Sequence, residues 1–181
     1  MSTSPITKTL SRGVSVSGVG GGRDIRDAVQ KAAATSRIVE IAVGGRALDG
    51  DPYEDLMTIR DACGVTFVGH HTLPLVEGAA VRPGFENQRE VADLLERYEI
   101  TTYSAHPLQL SETSEDGLFE WFCRTADLLG ERGISFSLET MYTPRDARDH
   151  VSGRWHLADE ASVTRFVTRA MARGYRTPLL L

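Results

Sequence analysis

Six short runs rich in β-branched and aromatic residues punctuate the chain: GVSVSGV (13–19), IVEIAV (38–43), VTFVGHH (65–71), ITTYSAH (100–106), ISFSLE (134–139) and TPLLL (177–181). Their composition and length suit strands. Between them, apolar residues recur at helical spacing. Ile25, Ala28, Val29, Ala32 and Ala33 form one such set; Val91, Leu94, Leu95 and Tyr98 form another. Leu118, Trp121, Phe122, Thr125 and Leu129 form a third, and Val163, Phe166, Val167, Ala170 and Met171 a fourth. A shorter helix is predicted after Asp51 as N-cap with Pro52 at the first helical position. Gly64, Gly133 and Gly174 are placed to cap helix C-termini. The order is strand then helix five times, followed by a sixth strand. Such alternation calls for a parallel sheet covered by helices. Two architectures satisfy it: an open doubly wound sheet, or a partial (β/α)8 barrel of about five βα units plus a sixth strand.

A chain of 181 residues is long enough for one domain with a sizeable core. No linker divides it, so residues 13–181 read as a single α/β domain preceded by a polar, disordered lead-in over 1–12. That lead-in has no apolar segment of the kind a secretory signal needs. No apolar run reaches the length of a membrane span. The net charge of −5 weighs against nucleic acid as the main partner, since phosphate binding leaves a basic footprint. The two cysteines, Cys63 and Cys123, form no CxxC pair and read as reduced thiols in or beside helices. A cytoplasmic setting is expected.

In parallel α/β proteins chemistry gathers where strands end and loops begin. The third strand ends in His70 and His71, the fourth in His106, and the fifth in Glu139. Imidazole nitrogen and carboxylate oxygen suit a divalent ion such as Zn, Mn, Mg or Co, and such a set with an open position can activate water or polarise a carbonyl. A polar residue at a strand end is also an ordinary solvated residue, so convergence is the point that matters. Strand parity supports it. Glu139 shares a face with Ser137 and Ser135, and His106 with Ser104 and Thr102. His70 shares a face with Val68 and Thr66, whereas His71 goes with Gly69 and Phe67. Parity therefore favours His70 over His71 as the inward residue.

These strand ends, GHHTLP, SAHPLQ and SLET, resemble those of the xylose isomerase-like TIM-barrel superfamily, which includes sugar-phosphate isomerases and epimerases and the endonuclease IV type of nuclease. The resemblance implies a metal-dependent enzyme acting on a small sugar-like substrate by removing a proton next to a carbonyl. It implies Glu139 as metal ligand and possible base, and His106 with His70 or His71 as ligands or as groups orienting substrate oxygens. A zinc-dependent hydrolase of the endonuclease IV kind is the first alternative. The first strand, SVSGVGGG, lacks the His that the nuclease branch carries. The family's sixth strand ends in an Asp, with further ligands beyond it. Here the sequence stops at RTPLLL, short of the roughly 200–250 residues of a full barrel. A fragment, a shortened gene product, or a half that pairs with another chain are the expectations. An exposed sheet edge predicts self-association or a complementing chain. The second alternative is thus a non-catalytic scaffold that assembles through that edge.

Other candidates are weaker. SGVGGGRDI has Gly18 and Gly20 but Arg23 where a dinucleotide-binding turn needs its third glycine, and Glu40 lies mid-strand rather than at a strand end. Glu40 is expected either to face the interior, where it needs a partner, or to bind a neighbouring strand. The long segment 140–159 reads as a substrate lid, with Arg145, Arg148 and Arg154 to grip a phosphate or carboxylate and Trp155 to cover a sugar face. Phe119, Trp121 and Phe122 read as core.

Overall fold

The computed structural model describes residues 13–16, 23–43, 52–71, 75–76, 86–141 and 155–180. Its elements run β1 (Gly13–Ser15), α1 (Arg23–Ala33), β2 (Ile38–Ala42), α2 (Tyr53–Cys63), β3 (Thr66–His71), β4 (Leu75–Val76), β5 (Glu86–Asn87), α3 (Gln88–Arg97), β6 (Thr102–Ala105), α4 (Glu115–Gly130), β7 (Ser135–Glu139), α5 (Glu160–Ala172) and β8 (Leu179–Leu180). The lead-in over 1–12, Gly18, Gly20, Asp51, Arg145, Arg148 and Arg154 lie outside the described residues.

Six strands form one parallel sheet in the order β1-β2-β3-β6-β7-β8. This order follows the chain without reversal. A doubly wound sheet reverses direction at a switch point. The sequential order therefore discards that alternative and leaves six strands of a (β/α)8 barrel. All the main-sheet strands were legible from composition, although β1 ends at Ser15, four residues before the expected limit. The two-residue parallel pair β4–β5 was not foreseen. Two residues carry too little pattern to be read as a strand.

One face of the sheet packs against helices. Val39, Ile41, Phe67, Tyr103, Phe136 and Leu138 are buried there, and Phe119, Trp121 and Phe122 lie in the same core as expected. Phe122 meets Phe136, Phe166 and Tyr175 in ring contacts at 5.0–5.7 Å. The opposite face mixes short polar side chains with Ile38, Ala42 and Val68. Thr66, Thr102 and Ser135 are exposed toward the strand N-termini, while Ser104 and Ser137 are buried nearer the C-terminal ends.

Local signals fix the helix ends. Asn87 caps α3 by accepting from the backbone of Arg89 and Glu90, Ser114 caps α4 and Asp159 caps α5. Helix α2 starts one residue later than expected, with Pro52 as its N-cap. Gly64 closes it in the left-handed region at φ 60°. Of the apolar set on α5, Phe166 and Ala170 are buried, but Met171 is 61% exposed. Met171 lies one step around from Ala170, just past the edge of the buried stripe. Among the described residues no helix is long and apolar enough to cross a membrane. Cys63 and Cys123 are free thiols, half-buried and buried respectively.

Candidate functional site

The register of the central strands carries the site. Residue His70 of β3 lies level with Ser104 of β6, and Ser104 with Ser137 of β7. Ala105 lies level with Leu138, so the chain leaving β6 brings His106 up to the level of Glu139. Gly69 enforces the facing of β3. A side chain there would come within 2.9 Å of both Leu95 Cδ2 and Tyr103 Cδ2 on the helix side. That side of β3 is closed at Gly69, and alternation turns His70 to the opposite face.

The result is a compact triad. His106 Nε2 lies 2.9 Å from Glu139 Oε2, and His70 Nε2 lies 3.6 Å from the same oxygen. The two imidazole rings are 5.4 Å apart. His70 is buried, and its Nδ1 is 2.9 Å from the Ser104 hydroxyl. With Nε2 facing the acceptor-only Glu139 carboxylate, the Ser104 hydroxyl donates to Nδ1; a cation on Nε2 would instead require Nδ1–H donated to Ser104, and in either form Ser104 sets the plane of this ring. His106 and Glu139 are half-buried.

The electrostatics favour one protonation state. The hydrogen bond from His106 holds the Glu139 carboxyl below its ordinary value, against the opposing effect of burial, and the charge of His70 adds to the lowering. Burial pushes the His70 imidazole below its ordinary value, although the charges of Glu139 and Glu40 pull the other way. An ionised carboxylate beside a neutral imidazole is the form that ligates metal.

One ligand atom each from His70, His106 and Glu139 falls within 4.8 Å of the others. Donors about 2.0–2.2 Å from a single ion span such a distance after small side-chain rotations. The donor set, two imidazole nitrogens and a carboxylate oxygen, fits a divalent ion of the Zn, Mn or Co kind.

Of the residues singled out by sequence, the structure brings together His70, His106, Glu139 and Trp155. The Trp155 ring stands edge-on to His106 at 5.6 Å. The backbone of His71 belongs to β3, but its side chain lies outside the described residues. Glu40 faces the same side as His70, two residues below it in register, and accepts a 2.6 Å hydrogen bond from Ser15 of the neighbouring strand. It sits mid-strand in β2, not at a strand end. Sequence reasoning passed over Ser104 as a partner of His70, although parity had put both on one face. His156, part of the segment read as a substrate lid, is buried, which its place in a polar loop did not foretell.

No protein-family model matches the sequence, and no curated protein matches it. Solved structures do. The chain is similar to D-psicose 3-epimerase from Clostridium cellulolyticum H10, solved with D-tagatose, at TM-score 0.56 and 15% identity over 88% of this chain and 60% of that one. It is similar to a family 2 AP endonuclease from Brucella melitensis at TM-score 0.57 and 17% identity, over 88% of this chain and 64% of that one. A xylose isomerase domain protein from Alicyclobacillus acidocaldarius gives TM-score 0.57 and 13% identity, over 88% and 59%. The chain thus spans about 60% of the epimerase's length. At such identities it is the fold that is shared: the chain has, over six strands, the fold of the xylose isomerase-like TIM barrels.

Proposed function

We propose that the triad is the metal-binding and proton-transfer site of a sugar or sugar-phosphate isomerase or epimerase. The observation that carries this reading is the convergence of His70, His106 and Glu139, one from each of three successive sheet strands, at the C-terminal end of the sheet. In barrels of this kind the chemistry is done at that end. A divalent ion held by these three residues would supply Lewis-acid polarisation of neighbouring hydroxyl and carbonyl oxygens. The protein's own work is proton transfer. The Glu139 carboxylate takes the proton from the carbon next to the carbonyl and returns it on the same face to the neighbouring carbon, while the hydroxyl proton passes between the two substrate oxygens; return to the opposite face, as in epimerisation, requires a second acid across the substrate. In the metal-free chain His106 holds that carboxylate in place through Nε2; a cation held at Nε2 would require the Nδ1–H tautomer of the same ring. Ser104 keeps the buried His70 ring aligned. Trp155 stands near-perpendicular to His106 at one side of the triad, and the face of its indole is the surface suited to the C–H face of a sugar.

The test is exchange of substrate C–H protons with D2O across a panel of ketoses and ketose phosphates, followed by NMR with Mn2+, Co2+ or Zn2+ present. Deuterium is expected at the carbon beside the carbonyl, and Glu139→Gln should abolish it. Stoichiometric metal analysis accompanies it. One ion per chain agrees with isomerisation, whereas two or three zincs with no exchange would turn the assignment to a hydrolase. A chain that binds no metal, exchanges no proton and self-associates regardless of Glu139→Ala would be a scaffold.

A further inference from the structure

Trp155, His156 and Leu157 stand beside the triad without belonging to the main sheet, yet they are tied down on several sides. Trp155 bridges Gln109 in antiparallel fashion, just beyond β6. The His156 amide donates to the Leu108 carbonyl at 3.4 Å, and the Met141 amide donates to the Leu157 carbonyl at 3.2 Å, just beyond β7. Leu157 is 2% exposed and sits at φ 59°, a region a leucine seldom occupies unless packing holds it there.

The side chain of His156 makes the tie specific. It is 4% exposed, and its Nε2 lies 2.9 Å from the Thr113 carbonyl oxygen. A carbonyl oxygen only accepts, so Nε2 must carry the proton. Thr113 immediately precedes Ser114, the N-cap of α4. His156 therefore anchors this segment to the head of a sixteen-residue helix, α4. His156 and Leu157 form a turn, and the side chains of Trp155 and His156 part company at its start. With His156 turned in toward α4, Trp155 is turned toward His106.

We propose that His156 is a positioning residue that holds Trp155 as a rigid wall beside His106, against which the C–H face of a polyhydroxylated substrate rests. The substrate part of this inference builds on the isomerase or epimerase reading, whereas the anchoring part needs neither metal nor substrate.

The chain has two tryptophans. Trp121 is buried in the helical core, so Trp121→Phe leaves Trp155 as the sole indole. In that background, His156→Gln keeps an N–H donor of similar reach and His156→Leu keeps bulk without a donor. The Leu variant is expected to red-shift Trp155 emission and raise its quenching by acrylamide, with unchanged far-UV circular dichroism. The Gln variant is expected to match the parent. Equal quenching in all three proteins would overturn the proposal. Should a variant not fold, 15N NMR of the unsubstituted chain decides the matter: His156 as the Nε2–H tautomer supports the anchor, and the Nδ1–H tautomer defeats it. Where turnover is found, the Leu variant should raise KM with kcat little changed, and Gln should restore it. If no variant turns over any sugar but Leu frees Trp155, the wall stands and the reaction class falls. If turnover is present and Leu alters neither quenching nor KM, the wall falls and the reaction class stands.

Discussion

At the scale of single residues, the site is set by who partners whom. Glu139 and His70 are displaced in the same direction for different reasons: one by a donated hydrogen bond, the other by burial. Both leave the unfolded chain the better proton binder on the acid side, so folding stability falls as pH falls. For His70 the contribution is present above its ordinary value of 6.5 and is lost as pH falls through its lowered folded value. For Glu139 the same holds below 4.5. Urea unfolding of the metal-free chain from pH 7 to pH 4 should show this decline, and His70→Gln should remove the portion that begins near 6.5. Unchanged pH dependence in that variant would mean that His70 is not buried in its neutral form. A second prediction concerns Ser104, which fixes the His70 ring. Partners of this kind typically contribute about 10- to 100-fold to metal affinity. Ser104→Ala should weaken Co2+ or Zn2+ binding by that order in calorimetric titration, while Ser135→Ala, on the exposed end of the same face, should not.

At the scale of elements, the strands work as rails whose facing is enforced by packing. Gly69 is the clearest case, because a Cβ there would collide with Leu95 and Tyr103 at 2.9 Å. Gly69→Ala should cost about 1–3 kcal/mol in chemical denaturation. It should also weaken metal binding, because relief of the clash displaces β3 at the residue next to His70. A stability loss with no change in metal affinity would show that β3 tolerates the shift. Much at this scale was legible in the sequence. The 3.6 and 2.0 periodicities located α1, α3, α4 and α5 and the six main strands, and parity alone put His106, Ser104 and Thr102 on one face. The β4–β5 pair and the start of α2 at Tyr53 were not legible, because two-residue ladders and helix boundaries are decided by neighbours in space.

At the scale of the whole molecule, the sheet has a dry side and a wet side. Helices cover the apolar face, and the opposite face carries Ser, Thr, Glu and His beside Ile38, Ala42 and Val68. Among the described residues β1 and β8 are the end strands of the sheet, each paired on one side. An end strand presents unpaired backbone groups and invites pairing. Sedimentation velocity of this 181-residue chain over a concentration series tests whether these edges pair, with reversible self-association the expected outcome. A sedimentation coefficient that stays monomeric throughout would refute pairing through these edges.

The sequence by itself determined the element order, the parallel sheet, and the facing of His106 and Glu139, because each depends on residues only a few positions apart. Only tertiary structure decided that the sheet runs in sequential order, that His70 Nδ1 meets Ser104, and that His156 reaches Thr113 across 43 positions of chain. Those contacts arise from strand register and helix packing. They join residues distant in sequence, about whose separation in space local periodicity carries no information.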